Sequence, residues 1–246
     1  MDSGYYAACT ALMSRMQALD TVADNLANIS TSGYRGQHNV FQSVLAGMNA
    51  GGSSELNQAV NDYNVLGGTR LDLSQGTLQR TGNDHDLAIE GPGFFVVQTG
   101  NGKVFTRNGS FQVSPKNQLV TATGDPVMGE NGPLTVLDGT LSVSPDGTLS
   151  VNGAIAGKLS VVEFAPGTAM QNLGQTYYSA PAGSAVEAQV SSVRQAMVES
   201  SNVSPVQSVV ELITVQRSAE MMQRALAMFN SDINKTATQD LPRVNS

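Results

Sequence analysis

The sequence predicts a mostly β central domain, an irregular, hairpin-rich sheet or barrel-like structure, flanked by N- and C-terminal α-helices. Two observations carry this prediction. Apolar residues recur at heptad spacing near both ends of the 246-residue chain, which is typical of helices that pack lengthwise on other helices. The middle has almost no helical period and carries repeated Asn-Gly and Asp-Gly pairs, which supply the positive φ of tight hairpins. We therefore expect the two helices to pair as a coiled-coil-like inner domain.

The first helix is predicted by an apolar stripe that begins close to the start of the chain. The stripe alternates steps of four and three residues through Tyr5, Cys9, Leu12, Met16, Leu19, Ala23 and Leu26. We expect this helix to end near Asn28, because the following Ser30–Gly33 stretch favours local side-chain hydrogen bonds and turns.

The middle of the chain, from Arg70 to Ser179, consists of short apolar runs separated by turn signals, which predicts strands. The strand candidates are Gly93–Gln98, Lys103–Arg107, Ser110–Ser114, Gln118–Thr121, Thr140–Ser144, Thr148–Val151 and Lys158–Phe164. Phe111–Thr121 and Leu141–Val151 share a strand, a Ser-Pro turn and a second strand at the same offsets. Two copies are too few for a repeat architecture, and convergent hairpin chemistry explains them about as well.

The last helix has a well-marked start. Ser204 is suited to the N-cap, Pro205 to the first helical position, and Gln207 lies three residues after the cap. Its apolar stripe runs through Leu212, Val215, Ala219, Met222, Leu226, Phe229 and Ile233. A heptad stripe does not identify its partner, so both stripes also fit a helical hairpin or packing on a core within the chain.

These patterns divide the chain into four parts. Residues 1–45 form an N-terminal helical segment, and residues 46–69 form a polar, Gly-rich linker that we expect to be mobile unless a partner orders it. Residues 70–190 form the β-rich domain, and residues 191–246 form a C-terminal segment with the second helical region.

The sequence offers no constellation typical of an enzyme. The two histidines are His38 and His85. In a strand, the side chains of Asp84 and Asp86 point to one face and that of His85 to the other, so the three would not converge on one metal ion. Cys9 lies on the apolar stripe, where a packed side chain is more typical than a reactive thiolate. The glycine-rich stretch Glu90–Val97 does not open a helix, as a phosphate-binding loop must. We therefore predict no catalytic, metal-binding or cofactor-binding residues.

Charge and hydropathy exclude other classes of protein. A net charge of −7 and a pI near 4.7 argue against a nucleic-acid partner, since phosphate binding needs clustered Lys and Arg. The single cysteine excludes an internal disulfide. No apolar run approaches the roughly 18 residues of a membrane-spanning helix, and the first residues lack the basic region of a secretory signal. We expect no membrane insertion and no cleaved secretory signal.

Three stretches together resemble one known family, the bacterial flagellar rod and hook proteins. The first stretch, DNLANISTSGYRGQ, is similar to the N-terminal signature at Asn25, Leu26, Ala27, Asn28, Thr31, Gly33, Tyr34 and Arg35. The second, Asp86–Gly129, is similar to the β-domain core and carries its Gly-x-Gly-Phe-Phe motif at Gly91, Gly93, Phe94 and Phe95. The third, Glu199–Arg217, is similar to the C-terminal signature and carries Ser201, Asn202 and Val203 before a helix. The stretches occur in the order that the family has.

The resemblance implies a structural subunit of the flagellar basal-body rod. Such subunits are exported uncleaved from the cytoplasm through the flagellar type III apparatus and polymerise into the axial drive shaft in the periplasmic space. The implied partners are other axial proteins, namely rod subunits and indirectly the hook, together with the export apparatus. The short chain, the opening MDSGYYAA and the SNVSPV stretch favour a proximal rod subunit, with a distal rod subunit as the near alternative.

The resemblance also assigns the apolar stripes to an assembly interface, with the helices as an inner layer inside the β domain. The interface residues are Leu12, Met16, Leu19, Leu26, Leu212, Val215, Met222, Leu226 and Phe229. Burial of each large side chain contributes about 1.5–3 kcal/mol, and ordering costs offset part of this energy, so the two ends of the chain are expected to fold on assembly.

The second hypothesis is a β-rich cell-wall or carbohydrate-binding protein. It requires aromatic platforms or a carboxylate pair, and 5% aromatic residues without Trp make it unattractive.

Overall fold

The computed structural model of the chain describes residues 2–42, 65–174 and 176–235, which fall into two compact units. The helical unit contains the described residues of 1–26, 37–70 and 205–246. The β unit contains 71–204 together with a short N-terminal segment, 27–36. Most of the predicted linker, 46–69, lies outside the described residues.

Two long helices belong to the helical unit. Helix α1 is Asp2–Ala27 and helix α2 is Pro205–Lys235. The predicted end of the first helix near Asn28 and the predicted start of the last helix at Pro205 are both confirmed. Proline suits the first position of α2 because the N–H that it lacks would have no partner within the helix.

The strands are short, and β2, at seven residues, is the longest of those described. Their bounds are β1 (Gln37–Gln42), β2 (Val65–Leu71), β3 (Leu78–Arg80), β4 (Leu87–Glu90), β5 (Phe94–Thr99), β6 (Gly102–Thr106), β7 (Gln112–Val113), β8 (Leu119–Val120), β9 (Met128–Gly129), β10 (Gly132–Pro133), β11 (Leu141–Val143), β12 (Thr148–Val151), β13 (Ala154–Lys158), β14 (Val161–Phe164), β15 (Gln171–Gly174), β16 (Tyr177–Ser179), β17 (Ala185–Glu187), β18 (Ser192–Gln195) and β19 (Met197–Glu199). Each of the seven strand candidates in the middle of the chain overlaps at least one of these strands.

The strands form open sheets. The largest sheet has six strands in the order β15-β16-β6-β5-β14-β17, and a second has the order β11-β12-β13. Two-stranded pairings join β18 to β4, β19 to β3, β7 to β8, β10 to β9 and β1 to β2. The prediction of a mostly β protein with two terminal helices is confirmed, but the barrel-like expectation is wrong. Closure requires every strand to pair on both sides, and in the described chain β15 and β17 each pair on one side only.

The two similar stretches noted in the sequence form matching hairpins. The β7–β8 turn is closed by the Asn117 N–H, which donates to the Ser114 carbonyl at 2.8 Å. The β11–β12 turn is closed in the same way by Gly147 and Ser144 at 2.9 Å. Asn117 and Gly147 have φ of 57° and 85°, so each turn needs a residue that tolerates the left-handed region.

The core of the β unit lies between its sheets. Its buried members are Leu87, Ile89, Phe95, Phe111, Leu119, Val127, Leu134, Val136, Leu141, Leu149, Val151, Leu159 and Val193. Strand β5 shows that the largest sheet is covered on both faces. Phe95 packs edge-on against Phe111 in this core, whereas Phe94 points to the opposite face and packs edge-on against Tyr178 and Phe164.

Candidate functional site

A fully buried cluster of three charged side chains lies in the β unit. The Glu199 carboxylate bridges two guanidinium groups, with Oε1 2.6 Å from Nη1 of Arg35 and Oε2 3.1 Å from Nη1 of Arg107. All three side chains are at most 1% exposed. We call this cluster, Arg35–Glu199–Arg107, the ionic junction.

Three distant parts of the chain supply the ionic junction. Arg35 lies in the segment that follows α1, Arg107 directly follows β6, and Glu199 ends β19. The backbone helps to align them, because the Gly33 N–H donates to the Glu199 carbonyl at 2.7 Å and the Gly76 N–H donates to Glu199 Oε1 at 2.7 Å. A charged carboxylate that accepts backbone N–H bonds as well as ion pairs is held in a single orientation.

Gly33 is required by this geometry. Its φ is 72°, in the left-handed region, and a Cβ at this position would lie 2.2 Å from the backbone nitrogen of Asn108. The segment that carries Arg35 therefore passes directly against the backbone next to Arg107. A side chain larger than hydrogen at residue 33 would force these two segments apart.

The charge of the ionic junction is unbalanced, since two guanidinium groups face one carboxylate. The pKa of Arg107 is lowered to about 10, first by burial and then by the neighbouring positive charge of Arg35, while Glu199 opposes both effects. Arg107 also donates from Nη2 to the Gly91 carbonyl at 2.6 Å, and its guanidinium lies 4.9 Å from the centre of the Phe94 ring. The carbonyl and the ring face, which both attract cations, partly replace the missing second carboxylate.

Tyr178 supports the ionic junction from the aromatic face of the large sheet. Its hydroxyl oxygen accepts a hydrogen bond from the Arg35 backbone N–H at 2.8 Å, and the side chain is fully buried. Burial raises the pKa of the Tyr178 hydroxyl to about 12. The ionised phenolate is therefore disfavoured in the folded protein, because burial removes the water that would solvate it.

Asn202 ties the segment before α2 to the segment after α1. Its Oδ1 accepts from the Gly36 N–H at 2.8 Å, and its Nδ2 donates to the carbonyls of Asp72 and Ser74 at 2.9 and 3.0 Å. The Asp72 N–H in turn donates to the Gly36 carbonyl at 2.8 Å. The residues that connect the β unit to both helices are thus hydrogen-bonded to one another.

Asn25 has a similar role inside the helical unit. Its Nδ2 donates to the Gln37 carbonyl at 2.7 Å, and its Oδ1 accepts from the Gln37 N–H at 2.9 Å. The side-chain amide thereby replaces a backbone partner at the start of β1. Asn28 accepts at its Oδ1 from the Thr31 hydroxyl at 3.2 Å, which stabilises the turn after α1.

The structure brings the three signature stretches of the sequence together. Tyr34, Arg35, Phe94 and Phe95 are buried, and Asn202 is half-buried against residues that adjoin Arg35. The remaining signature positions differ in burial: Leu26, Asn28, Thr31, Gly91, Ser201 and Val203 are half-buried, Asn25, Gly33 and Gly93 are buried, and Ala27 is exposed. Sequence reasoning missed Glu199, Arg107 and Tyr178 as site residues. The first two were visible as charged residues inside the signature stretches, but no local pattern shows which charges meet.

The residues assigned to an assembly interface lie along the two helices of the helical unit. On α1, Leu12, Leu19 and Leu26 are half-buried and Met16 is 55% exposed. The buried face of α1 is a neighbouring one, formed by Ala11, Ser14, Ala18, Thr21, Val22 and Asn25. On α2, Leu212, Val215, Met222 and Leu226 are half-buried, and the side chain of Phe229 lies outside the described part of the structure. A second apolar group on α2, Val206, Val210 and Ile213, is exposed.

Neither a cluster of metal-ligating side chains nor a helix able to span a membrane occurs among the described residues. No group of three or more His, Cys, Asp or Glu side chains in them is placed to hold a metal ion. The same residues contain no helix with the length and hydropathy needed to cross a bilayer.

Family models match three regions of the chain. Residues 6–35 match the model described as flagella basal body rod protein, and residues 88–151 match the flagellar hook protein FlgE/F/G D1 domain. Residues 194–239 match the flagellar basal body rod FlgEFG protein C-terminal model. Each region contributes one member of the ionic junction: Arg35, Arg107 and Glu199 respectively.

Curated relatives are similar over nearly the whole chain. The flagellar basal-body rod protein FlgF of Mesorhizobium japonicum is 32% identical over 245 residues, covering 96% of this chain and 98% of the relative. The chain belongs to the flagellar basal-body rod protein family. The FlgF of Salmonella typhimurium is also 32% identical, with 94% and 96% of the two chains covered. The rod protein FlgG of a Buchnera aphidicola subspecies is 30% identical, with 96% of each chain covered.

Proposed function

We propose that this protein is a structural subunit of the bacterial flagellar basal-body rod, of the FlgF type, and that it has no catalytic activity. The observation that carries the proposal is the ionic junction, to which each family-matched region contributes one charged residue. A subunit that passes torque must hold the segments of its β unit in a fixed arrangement. Buried ion pairs, together with the hydrogen bonds of Asn202, oppose movement of these segments within the β unit, because any displacement leaves a buried charge without its partner.

The apolar stripes of α1 and α2 are proposed as the assembly interface, with the two helices pairing as an inner coiled-coil-like layer. Leu19 and Leu226 are half-buried in the single chain, so each retains apolar surface that a neighbouring helix can cover. The division into residues 1–45, 46–69, 70–190 and 191–246 then describes roles in assembly. In the last segment, β18 and β19 anchor the chain in the β unit before α2 begins.

The test introduces a charge into each stripe. Leu19→Asp and Leu226→Asp are expressed in a strain that lacks the native protein, and rods are counted in purified basal bodies by electron microscopy. Exposed residues of the same helices supply the matched controls Gln17→Asp and Gln223→Asp. We expect rods and swimming with the controls and neither with the Leu variants, while urea unfolding of the β unit is unchanged. Assembly of normal rods by the Leu variants would refute the assigned interface.

Two further measurements test the partners and the export route. A photo-cross-linking residue at the exposed position Val210 should capture another axial protein in assembled basal bodies. The identity of that neighbour separates a FlgF-type position from a FlgG-type position. Intact-mass measurement of the subunit recovered from rods should give the uncleaved chain if export through the type III apparatus involves no processing.

A further inference from the structure

Helix α2 is apolar on two opposite faces. The face with Leu212 and Leu226 is half-buried within the helical unit. The opposite face has two exposed cations, Arg217 and Arg224, and apolar side chains that are between 45% and 74% exposed: Val206, Val210, Ile213, Met221 and Met228. We call these seven residues the outer face of α2. A helix with apolar residues on both sides is typical of a helix that is covered on both sides, so this face lacks a partner in the single chain.

Helix α1 also has an exposed face opposite its buried one. Met13 and Met16 are 73% and 55% exposed there, and the small residue Ala27 lies exposed at the end of the same face. The charged residues of this face are Asp20 and Asp24, which are both exposed. We call these five residues the outer face of α1. It combines apolar side chains with acids, whereas the outer face of α2 combines apolar side chains with bases.

Two of these charges have no ion-pair partner within the described residues. Arg224 lies 3.9 Å from Glu220, but Arg217 forms no ion pair there, and neither does Asp20. An acid and a base that are each flanked by apolar side chains attract each other more strongly when a contact removes the water around them. The two outer faces are therefore complementary in charge as well as in apolar character.

We propose that the outer face of α1 in one copy of the protein packs antiparallel on the outer face of α2 in a second copy, with Asp20 opposite Arg217. The inference rests on the proposed role in the rod, and it identifies which helix faces meet there. The half-buried apolar stripes remain the contacts of the helices on their other sides. The partner of the exposed faces is thus another molecule of this chain.

The ion pair sets the register of the two helices. Seven residues from it on each helix, Ala27 lies opposite Val210, and four residues from it on the other side, Met16 lies opposite Met221. Residues three, four and seven apart share one helix face, so the ion pair and the apolar pairs form in one contact.

The direction of packing follows from the connections of the chain. The C-terminal end of α1 and the N-terminal end of α2 both connect directly to the β unit. Copies that point the same way, with their helices side by side, therefore place α1 of one copy antiparallel to α2 of the next. The contact joins two different faces, so each copy keeps one face of each kind free and the contact can repeat along an assembly.

Charge reversal tests the pairing in a strain that lacks the native protein. Asp20→Arg and Arg217→Asp each place like charges opposite each other, and each should lower the number of rods in purified basal bodies by about tenfold or more. The two substitutions combined in one chain restore an opposite pair and should restore rods. Glu211→Arg is the matched control, because Glu211 is exposed on α2 but lies six residues before Arg217, about 120° away around the helix. It should leave the number of rods unchanged.

A mixture of the two single variants shows whether the pair forms between copies. A copy with Asp20→Arg still has Arg217, and a copy with Arg217→Asp still has Asp20, so opposite charges meet only between the two kinds of copy. Co-expression should therefore restore rods that neither variant forms alone. Rescue in the doubly substituted chain but not in the mixture would place the pair within one copy and overturn the proposal.

Disulfide trapping tests the register and the identity of the partner. In a Cys9→Ala background, copies with Met16→Cys are co-expressed with copies with Met221→Cys, and purified basal bodies are treated with a mild oxidant. We expect a disulfide-linked dimer of this chain, identified by mass spectrometry of the linked peptides. Ile213→Cys replaces Met221→Cys in the control, since Met16 lies opposite Ile213 only if the helices run parallel. A dimer through Ile213→Cys instead, or conjugates only to a different protein, would overturn the proposal.

The strain that lacks the protein separates the two possible failures. If this strain still builds normal rods, the proposed function is wrong and the pairing falls with it. If the strain builds no rods but the charge reversals leave rod numbers unchanged, the proposed function stands and the pairing of the outer faces is wrong.

Discussion

We expect Glu199→Gln to destabilise the β unit strongly. The substitution preserves the size of the side chain but removes the only carboxylate of the ionic junction. The Gln amide can still accept one hydrogen bond, yet its NH₂ group would face one of the two guanidinium groups. Arg35 and Arg107, both fully buried, would then repel each other with no compensating negative charge.

The size of the effect follows from the two ion pairs. At an effective dielectric constant of 20, a pair of unit charges about 4 Å apart interacts with about 4 kcal/mol, and Glu199 takes part in two pairs at shorter distances. Relaxation and water entry recover part of this energy, and removal of one partner from a buried pair typically costs about 3–5 kcal/mol. Because domains are stable by only about 5–15 kcal/mol, we expect Glu199→Gln to remove a large fraction of the stability of the β unit.

The assay is urea unfolding at pH 7, followed by far-ultraviolet circular dichroism because the chain has no Trp. Glu90→Gln is the matched control, since Glu90 forms an ion pair with Arg194 at 2.7 Å but both side chains are about half exposed. An exposed pair contributes about 0–1 kcal/mol, so the control should change the unfolding free energy little. Equal losses in the two variants would refute the reasoning that burial makes the ionic junction important.

Three further predictions test the surroundings of the junction. Gly33→Ala should destabilise the β unit by more than about 2 kcal/mol, because the added Cβ meets the backbone of Asn108. Gly82 has φ of 78° and open space around it, so Gly82→Ala should cost only about 1–2 kcal/mol for the left-handed backbone. Equal decreases of the melting temperature in the two variants would contradict the close approach of Gly33 to Asn108. Asn202→Ala should lower the free energy of unfolding by about 2 kcal/mol, because at least three hydrogen bonds are lost. The rate of hydrogen exchange at the Gly36 amide should rise, and an unchanged rate would contradict the hydrogen bond from this amide to Asn202. Tyr178→Phe should change the alkaline stability profile. Because the pKa of Tyr178 is about 12 in the folded protein and about 10 in the unfolded chain, the unfolded chain loses the Tyr178 proton first, and the wild type loses stability as the pH rises above about 10. In urea unfolding, the free energy of unfolding of the variant should rise relative to that of the wild type by up to about 1.4 kcal/mol per pH unit between pH 10 and 12. Parallel stability profiles of the two proteins would refute this.

Strand and turn positions were predictable from the sequence because local chemistry determines them. The β12 candidate, Thr148–Val151, coincides with the observed strand, and the turn before it needs positive φ at Gly147. The start of α2 was equally local, since Pro205 can begin a helix but cannot continue one. Sheet order was not predictable, because the pairing of β16 with β6 and of β18 with β4 joins segments more than 70 residues apart.

The buried face of α1 shows a different limit of sequence reasoning. The heptad stripe emphasised Leu12 and Leu19, whereas the buried face includes the polar residues Thr21 and Asn25. Thr21 contacts Asn39 Oδ1 at 3.1 Å, and Asn25 bonds the backbone of Gln37. Apolar periodicity cannot reveal a face that packs through hydrogen bonds.

The ionic junction is better understood as a device for specificity than for stability. An apolar trio of similar volume at its three positions would avoid the large desolvation cost of buried charges, and replacements of this kind are often neutral or stabilising. An apolar trio would also tolerate small shifts of one segment against another, since apolar contacts are not directional. With Glu199 between Arg35 and Arg107, a shift of any one segment leaves a buried charge unpaired. We infer that the junction selects a single register among the three segments, so replacing all three residues with apolar side chains should preserve stability and loosen that register. Hydrogen exchange at the Gly33 amide, which donates to the Glu199 carbonyl, measures this directly: exchange as slow as in the wild type would contradict the inference.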